Sequence, residues 1–392
     1  MAPKVRHFST VREVVETLKP SYPVYCLHPR EIERCASQFL DQFPGRVLYA
    51  IKCNPHPLVL DILYKAGIRH FDTASLNEIA QIRESYPDAD AYFMHPVKGR
   101  AAIDAANDIY SIDHWMVDHE DELRKIIEVS GSGDGQVVLV RLGTRPFGSA
   151  FELSKKFGAS QDEAARLLRL VAREGFQPGL AFHVGSQCRK PEAYRDAFRA
   201  VREVLEASGV PIHYLDVGGG FPADYVDDRP PAFAEYVDAV REGLSSLKLR
   251  GDCVLMCEPG RALVASGCTL LTQVQLRKDG ALYINDGIYH SLSESHDGQI
   301  HYPARLVRLS GEHAQSTAPF TVFGPTCDSS DVLPYSVELP DDVREGDWIE
   351  FGQAGAYTNS MRTAFNGFYP DTFVTVDESP RFPQALLSDQ PQ

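Results

Sequence analysis

The sequence predicts an α/β protein in which a closed (β/α)8 barrel is followed by a second, all-β domain. Eight short apolar runs alternate with amphipathic helical segments through the first two-thirds of the 392 residues, a pattern typical of parallel strands joined by helical crossovers. Helical periodicity nearly disappears after about Arg261, where short β-rich runs are separated by Gly, Pro and Asp turns. A chain of this length can form two hydrophobic cores.

The barrel is expected to occupy residues 26–262. Its predicted strands are Val47–Ile51, Ile68–Phe71, Ala91–Met94, Trp115–Val117, Val137–Val140, Leu180–His183, Tyr214–Val217 and Val254–Cys257. The predicted helices are Leu58–Ala66, Leu76–Glu84, Asp118–Val129, Gln161–Glu174, Pro191–Ser208 and Pro231–Leu247, and some early strands are expected to follow one another without a helix. Active sites of such barrels form at the carboxyl ends of the strands. Distinctive polar or glycine residues stand at or next to those ends at Lys52, Asp72, Arg141, His183, Gly218–Gly220 and Glu258.

The β domain is expected to occupy residues 263–380. Its predicted strands are Leu270–Arg277, Ala281–Ile284, Phe320–Phe323, Trp348–Phe351 and Thr372–Val376. The tail 383–392 is short, polar and contains two prolines, so it is expected to be disordered.

Charge and composition exclude several classes of partner. The net charge of −15 argues against nucleic acid or an anionic membrane as the main partner. No apolar stretch approaches the roughly 20 residues needed to span a bilayer, and the N-terminus lacks the apolar segment of a signal peptide. The eight cysteines are scattered without a Cys-x-x-Cys pair, which favours reduced thiols, a cytoplasmic protein and no metal site.

Lys52 directly follows an apolar run that Asn54 and Pro55 end. An amine at the end of a buried strand loses solvation, so its pKa is expected to fall and the free base to become a nucleophile. Such an amine can form a Schiff base with an aldehyde such as pyridoxal phosphate (PLP). The alternative is a surface lysine at a strand end, since lysine is rarely buried.

Three further segments suggest an anion and an aromatic ring as ligands. Gly218, Gly219 and Gly220 allow backbone N–H groups to approach a phosphate closely, although three glycines also make a tight turn. Arg261 is suited to the same phosphate, and Glu258 to a protonated pyridine nitrogen. The alternative for these two is an ordinary ion pair with each other. His183 and Ser186 suit ring stacking and phosphate binding, or a plain structural network.

Nine motifs, in this order, resemble those of the PLP-dependent fold-type III decarboxylases, the ornithine/diaminopimelate/arginine decarboxylase family, and especially its ornithine branch. The resemblance extends from about Pro23 to Val376. It implies an alanine-racemase-like barrel with a β-barrel or β-sandwich second domain, to which residues 1–25 add. The motifs are YAIKCNP (49–55), FDTAS (71–75), HVGS (183–186), DVGGGFP (216–222), CEPGR (257–261), NDGIY (285–289), GPTCD (324–328), GAYT (355–358) and FNGF (365–368).

The resemblance implies a role for each of these residues. Lys52 carries PLP, His183 stacks on its ring and Glu258 pairs with the pyridine nitrogen. Cys327 is the implied proton donor to Cα, and it arrives with Asp328 from the second subunit of a homodimer with two shared sites. The implied phosphate ligands are Ser186, Gly218, Gly219, Gly220, Gly260, Arg261 and Tyr357, and Asp72, Glu78 and Arg141 surround the cofactor and its lysine.

The implied reaction is decarboxylation of a basic amino acid, with L-ornithine to putrescine and CO2, in polyamine biosynthesis, as the first expectation. Asp328 and Asp297 are the candidate carboxylates for the distal ammonium, and Tyr289 and Phe365 are further pocket residues. The usual ornithine pattern has Gly-Leu and a Phe-Asn-Cys-like run where this chain has Ser329-Ser330 and Leu292-Ser293-Glu294, and these changes are expected to line the distal pocket.

Three alternatives stay open, besides a non-standard basic amino acid or a carboxylated polyamine as the substrate. Lysine, alone or together with ornithine, differs from ornithine by one methylene, which a pocket distinguishes by only about 1–3 kcal/mol. Diaminopimelate decarboxylation or racemisation is the second alternative. Diaminopimelate decarboxylases usually carry Cys-Glu-Ser-Gly-Asp, whereas residues 327–331 read Cys-Asp-Ser-Ser-Asp, a departure toward the ornithine/lysine type. A catalytically inactive regulatory homologue is the third alternative, and the retained lysine, thiol and glycine loop argue against it.

Overall fold

The computed structural model describes residues 5–131, 133, 135–144, 147–151, 155–226, 228–297 and 300–382, except for the side chain of Asp297. The tail 383–392, expected to be disordered, lies outside the described residues. The strands are β1 (Arg6–Phe8), β2 (Val24–Leu27), β3 (Arg46–Ala50), β4 (His70–Thr73), β5 (Asp90–Phe93), β6 (His114–Val117), β7 (Val137–Leu142), β8 (Ser149–Phe151), β9 (Gln177–Phe182), β10 (Ser186–Cys188), β11 (Tyr214–Asp216), β12 (Val254–Cys257), β13 (Cys268–Lys278), β14 (Ala281–Ile284), β15 (Ala304–Val307), β16 (Thr317–Phe323), β17 (Val337–Pro340), β18 (Trp348–Phe351) and β19 (Thr372–Val376).

The helices carry the barrel crossovers and a few shorter connections. They are α1 (Val11–Leu18), α2 (Pro29–Gln42), α3 (Pro57–Lys65), α4 (Leu76–Ser85), α5 (Arg100–Asp108), α6 (Glu120–Ser130), α7 (Gln161–Arg173), α8 (Glu192–Ser208), α9 (Phe233–Ser245), α10 (Arg261–Val264) and α11 (Ser293–Asp297).

The predicted barrel is confirmed. Eight parallel strands close in the order β3, β4, β5, β6, β7, β9, β11 and β12, and β12 pairs with β3 to complete the ring. The expectation that some early strands follow one another without a helix is wrong between β5 and β6, where α5 lies. Its sequence, rich in Ala and charged residues, buries little more than Ile103 and Ala106, so its apolar stripe is narrow.

Side chains of the barrel strands divide between the barrel interior and the surrounding helices. Leu48 belongs to a small cluster formed by several strands, while its neighbours Val47 and Tyr49 pack into the large cluster shared with the helices. This period of two is that of an extended strand with both faces buried. The small cluster contains Leu48, Tyr92, Met94, Met116, Val137, Leu139, Ala181 and Met256.

The predicted second, mostly β part is also confirmed, as a nine-stranded sheet. Strands from both ends of the chain meet in it, because β1 pairs with β19, and β2 pairs with β13 and β19. Since β2 belongs to this sheet, Cys26 and Leu27 lie outside the barrel. Strands β15 and β17 were not among the predicted strands, and β8 and β10 form a separate two-stranded sheet beside the barrel.

The β domain contacts the barrel at the two residues that follow Lys52 in the chain, Cys53 and Asn54. The N–H group of Tyr357 donates to the carbonyl oxygen of Cys53 at 2.9 Å, and the Asn54 side chain donates to the carbonyl oxygen of Gly355 at 2.8 Å. A Cβ on Gly355 would overlap the carbonyl oxygen of Val264. The close backbone approach at Gly355 therefore leaves no room for a side chain beside this contact.

We expect Gly355→Ala to lower the free energy of unfolding by about 1–3 kcal/mol, the usual cost of forcing an extra methyl into a filled site. Gly280→Ala is the matched control, because a Cβ on Gly280 meets nothing within 4 Å. The control should stay within about 0.5 kcal/mol of the parent protein. Urea unfolding of the three proteins measures both changes, and equal stabilities would contradict the role given to Gly355.

Candidate active site

Lys52 lies in a single 3-10 turn, Ile51–Cys53, immediately after β3. Its ammonium group forms an ion pair with Asp72 at the end of β4. The Lys52 side chain is 45 % exposed and that of Asp72 only 2 %, so the lysine reaches from a buried carboxylate into the open end of the barrel. The ends of neighbouring parallel strands bring the two residues together.

The expectation that the pKa of Lys52 falls is wrong. Burial alone would lower the pKa, but the carboxylates of Asp72 and Glu258 outweigh it and raise the pKa of Lys52 above its ordinary value. The amine is therefore protonated in this structure. Before Lys52 attacks a carbonyl carbon it has to lose a proton, and Asp72 is the hydrogen-bonded acceptor.

Glu78 supports the segment that follows Asp72. Its carboxylate accepts a hydrogen bond from the N–H group of Ala74 at 2.6 Å, while the Ser75 hydroxyl caps α4 by accepting from the Glu78 N–H group. Burial raises the pKa of Glu78, and the negative charge of Asp72 adds to that effect. Glu78 thus belongs to the same charge cluster as Asp72 and Lys52.

Glu258 follows β12 and is buried, with a side chain that accepts no hydrogen bond from a protein N–H group in the described part of the chain. Burial, followed by the negative charges of Asp216 and Asp72, raises the pKa of Glu258 well above its ordinary value. Asp216 is also buried, and burial raises the pKa of Asp216 to about 6.

Asp216 was not among the candidate site residues. The signal in the sequence was its position, an aspartate at the end of a strand directly before three glycines. Its Oδ1 atom accepts a hydrogen bond from the Gly218 N–H group at 2.8 Å, so it organises the glycine loop as well as contacting Glu258.

The glycine loop requires glycine for reasons of both conformation and space. Gly218 and Gly220 have φ values of 68° and 105°, which L-residues rarely adopt. A Cβ on Gly219 would lie 2.6 Å from the carbonyl oxygen of Glu258, and one on Gly220 would lie 2.6 Å from the carbonyl oxygen of Gly185. Among the described residues, no protein acceptor takes a hydrogen bond from the N–H groups of Gly219 and Gly220. These two donors fit an anion.

His183 lies against this loop, since a Cβ on Gly219 would be 3.0 Å from its Nε2 atom. The Nδ1 atom accepts a hydrogen bond from the Gly185 N–H group at 3.0 Å. Burial lowers the pKa of His183 well below its ordinary value, and the charges of Arg141 and Lys52 lower it further. The imidazole is therefore neutral, a flat ring without charge beside the open site.

Arg261 does not pair with Glu258, which corrects one of the two alternatives for this segment. Its carboxylate partner is Glu294 on α11. The two form a bidentate salt bridge, with Nη2 2.7 Å and Nη1 2.8 Å from the carboxylate oxygens. The hydroxyl groups of Tyr225, at 2.9 Å, and Ser186, at 3.3 Å, accept the remaining hydrogen bonds. Glu294 was expected to line the distal substrate pocket and instead forms a salt bridge with Arg261, a predicted phosphate ligand.

Two residues complete this cluster. Tyr357 comes from the β domain, has a φ of 63° and lies with its ring 5.1 Å from the guanidinium of Arg261. A Cβ on Gly260 would be 2.8 Å from that of Cys53, so the turn before Arg261 touches the turn that carries Lys52. The structure therefore brings together Lys52, Asp72, Glu78, Arg141, His183, Ser186, Gly218, Gly219, Gly220, Glu258, Gly260, Arg261 and Tyr357 at the carboxyl end of the barrel.

The remaining candidates form a second cluster in the β domain. Cys327 is exposed, and its N–H group donates to the side chain of Asn366 at 3.0 Å. The Tyr289 hydroxyl donates to Asp328 at 2.8 Å, and the ring of Phe365 lies 4.9 Å from that of Tyr289. The pKa of Asp328 is held below its usual range by the Ser330 N–H group and the Tyr289 hydroxyl. Asp328 is thus an ionised carboxylate beside an exposed thiol.

Asp331 holds this second cluster in shape and was another residue that the sequence reasoning missed. Its carboxylate is buried and accepts hydrogen bonds from the N–H groups of Ile288, at 3.1 Å, and Thr326, at 3.0 Å. It therefore ties the segment of Tyr289 to the segment of Cys327. Asp297 belongs to α11, but the position of its side chain lies outside the description.

The first cluster fits a flat aldehyde cofactor with a ring nitrogen and a phosphate. Lys52 supplies an amine, Glu258 lacks a donor that a protonated ring nitrogen would provide, and the free N–H groups of Gly219 and Gly220 suit a phosphate. No group of three or more His, Cys, Asp or Glu residues suited to a metal ion occurs among the described residues. Within the same residues, no helix combines the length and apolar character needed to cross a membrane.

Comparison with known proteins matches residues 29–265 to the family model described as the pyridoxal-binding domain of pyridoxal-dependent decarboxylases. An ornithine decarboxylase of Schizosaccharomyces pombe is 33 % identical over 347 residues, which cover 84 % of this chain and 77 % of that protein.

Two solved structures are similar over nearly the whole chain. The arginine decarboxylase of Paramecium bursaria Chlorella virus, bound to agmatine, has a TM-score of 0.82 and 28 % identity over 93 % of this chain and 99 % of its own. A lysine/ornithine decarboxylase of Vibrio vulnificus, complexed with putrescine, has a TM-score of 0.81 and 30 % identity over 93 % of this chain and 96 % of its own.

The charge cluster makes a prediction about Lys52. In Asp72→Asn the nearest negative charge is removed, so burial should dominate and the pKa of Lys52 should fall. The reaction of Lys52 with 13C-formaldehyde and a reductant, followed by NMR across a pH series, measures the change. Asp88→Asn, which removes a surface partner of Arg69, is the control and should leave the pH profile unchanged. An unshifted profile in Asp72→Asn would contradict the assignment of Asp72 as the main influence.

Proposed function

The chain belongs to the pyridoxal-dependent decarboxylases that act on basic amino acids, and we propose that its preferred substrate is L-ornithine, which it converts to putrescine and CO2. The cofactor is PLP. Bound PLP supplies an electron sink that accepts the electron pair left on Cα when the carboxylate departs. The chain's own residues have to hold the cofactor, the substrate and the protons.

We assign cofactor binding to the first cluster. Lys52 provides the amine for the aldehyde, and Glu258 accepts a hydrogen bond from the protonated ring nitrogen. The neutral imidazole of His183 provides a flat surface for the ring without adding a charge. Ser186, the glycine loop, Gly260, Arg261 and Tyr357 take the phosphate, while Asp72, with Glu78 and Arg141 in the same charge cluster, receives the proton that Lys52 gives up.

The observation that carries the choice of a basic amino acid is the ionised carboxylate of Asp328. It lies in an accessible loop, fixed by the Tyr289 hydroxyl and the Ser330 N–H group, next to the Cys327 thiol. A carboxylate so placed can form a charge-assisted hydrogen bond with a distal ammonium group. We assign Asp297 as its companion and Phe365 as an apolar wall, and we assign to Cys327 the donation of a proton to Cα.

We infer that two copies of the chain share their active sites. The loop of residues 324–331, here called the Cys327 loop, forms hydrogen bonds with Ile288, Tyr289 and Asn366. None of these three residues belongs to the barrel. Around the loop is a cavity of about 840 Å³. Exposed apolar side chains on its walls and nearby favour burial against another copy. They are Tyr22, Met361, Phe365, Phe368 and Tyr369.

Cellular context follows from the proposed reaction. All eight cysteines are free thiols in this structure, in keeping with a reducing compartment, so we place the reaction in the cytoplasm. Putrescine production makes polyamine biosynthesis the proposed pathway. Because β2 pairs within the β sheet, we assign residues 28–262 as the PLP-binding unit and residues 263–380, with residues 5–27, as the β unit.

A second candidate is a bifunctional lysine/ornithine decarboxylase. The similar Vibrio vulnificus lysine/ornithine decarboxylase has been solved with putrescine and with cadaverine, so one pocket of this fold accommodates both diamines. A preference set by one methylene corresponds to a ratio of about 10–200 in kcat/KM. The ratio of kcat/KM for L-ornithine to kcat/KM for L-lysine, measured on this chain, distinguishes the two candidates.

We expect L-ornithine to give the highest kcat/KM among L-ornithine, L-lysine, L-arginine and meso-diaminopimelate assayed in parallel for CO2 release. Asp328→Asn should lower kcat/KM for L-ornithine by about 10- to 100-fold, the loss of one charge-assisted hydrogen bond. Ser329→Ala, at the exposed neighbouring position, is the control. Release of L-lysine from meso-diaminopimelate as the main activity, or no CO2 from any substrate, would overturn the proposal.

Shared sites predict complementation between inactive variants. The variants Lys52→Ala and Cys327→Ala should each lose most of the parent activity. This loss would also exclude the alternative that the chain is a catalytically inactive homologue. Mixing and reassociating them should restore about a quarter of the parent activity, because half of the dimers are mixed and each has one intact site. If each chain formed a site by itself, the mixture would stay inactive. Activity is measured as CO2 release after mixing at equal concentration.

A further inference from the structure

The buried ion pair between Arg261 and Glu294 is not explained by the proposed reaction. Both side chains are nearly inaccessible, with exposures of 3 % and 4 %. The pair joins the first turn after barrel strand β12 to α11, which lies beyond β14 in the chain. Glu294 occupies the place of the Cys in the Phe-Asn-Cys-like run of the family pattern, so this acid is a feature of this chain.

Every N–H direction of the Arg261 guanidinium has a partner in this structure. Glu294 accepts one hydrogen bond from each terminal nitrogen, at 2.8 and 2.7 Å, and Tyr225 accepts a second from Nη1 at 2.9 Å. The Ser186 hydroxyl accepts from Nε and Nη2 at the longer distances of 3.4 and 3.3 Å. The edge formed by Nε and Nη2 is therefore the weakly bonded one, and it is the edge available to a phosphate.

Charge makes Glu294 and a phosphate competitors for the same cation. A guanidinium cannot lose its proton in a protein, so Arg261, buried as it is, needs an anion at all times. Glu294 meets that need while the phosphate site is empty. When a phosphate is bound at the Nε and Nη2 edge, the carboxylate adds a negative charge on the adjacent Nη1 and Nη2 edge of the same guanidinium, where little water screens the repulsion.

We propose that Glu294 is a positioning residue that acts as the resident counter-anion of Arg261, stabilising the cofactor-free protein and weakening the binding of the cofactor phosphate. This inference rests on the proposed function, since it takes PLP as the ligand. By linkage, a change that destabilises the cofactor-free form more than the loaded form must tighten binding. Glu294 therefore keeps the cofactor exchangeable.

The test compares the parent protein with Glu294→Gln, which keeps the size of the side chain and removes the charge. Dissociation constants for PLP and for pyridoxal, which lacks the phosphate, are measured by absorbance and fluorescence titration of cofactor-free protein. Thermal unfolding is measured with and without PLP. The matched control is Asp347→Asn. Asp347 forms a buried bidentate salt bridge with Arg308 within the β domain, at 2.7 and 2.9 Å, and the substitution removes its charge.

We expect Glu294→Gln to bind PLP about tenfold more tightly than the parent, within the usual range of coupling between two sites, and to bind pyridoxal with unchanged affinity. Its Tm without PLP should fall further than its Tm with PLP. Asp347→Asn should lower both Tm values equally and leave both dissociation constants unchanged. If cofactor-free Glu294→Gln does not stay folded, the rate of PLP dissociation from the loaded protein replaces the titration and should be slower than in the parent.

Three results would overturn the inference. Unchanged or weaker PLP binding by Glu294→Gln, with a parent protein that binds PLP and releases CO2, would show that Glu294 has only a structural role and would leave the proposed function intact. Failure of the parent protein to bind PLP would overturn the proposed function and this inference together. An equal gain in affinity for pyridoxal would also contradict it, because the effect would then not involve the phosphate.

Discussion

The carboxyl ends of the barrel strands converge, and this chain gathers the carboxyl groups of Asp72, Asp216 and Glu258 around the single ammonium group of Lys52. The three acids are buried, so water screens their charges poorly and each protonation state depends on the others. Their negative charge raises the pKa of Lys52, and burial, together with the charge of Asp72, raises the pKa values of Asp216 and Glu258. The proposed chemistry depends on this balance, because Lys52 must lose a proton and Glu258 must meet a positively charged ring nitrogen.

The β domain contributes to this balance as well as to the proposed substrate pocket. It places the backbone of Tyr357 against that of Cys53, next to Lys52, and it brings Glu294 into contact with Arg261. The barrel end is thus completed by residues from two parts of the chain. The Cys327 loop, in contrast, is organised entirely by the β domain through Asp331, which suits a loop that is fixed before it meets a partner.

Agreement between sequence and structure was greatest where the signal is local. The eight barrel strands follow from short apolar runs, and the glycine loop follows from three consecutive glycines at a strand end. Strands β1 and β2 gave a weaker signal, since they are three and four residues long and join the β domain through partners hundreds of residues away. Helix α5 was missed because its alanines and charges leave only a narrow apolar stripe.

The sequence by itself determined the fold class, the family and the residue types of the site, because strand periodicity and contiguous motifs are properties of neighbouring residues. Only the tertiary structure decided which charges meet. Arg261 binds Glu294 rather than Glu258, and Lys52 is held as an ammonium rather than a free amine. Both outcomes depend on distances between buried groups far apart in the chain, and Coulomb interactions in a poorly screened interior change with those distances more than with any local pattern.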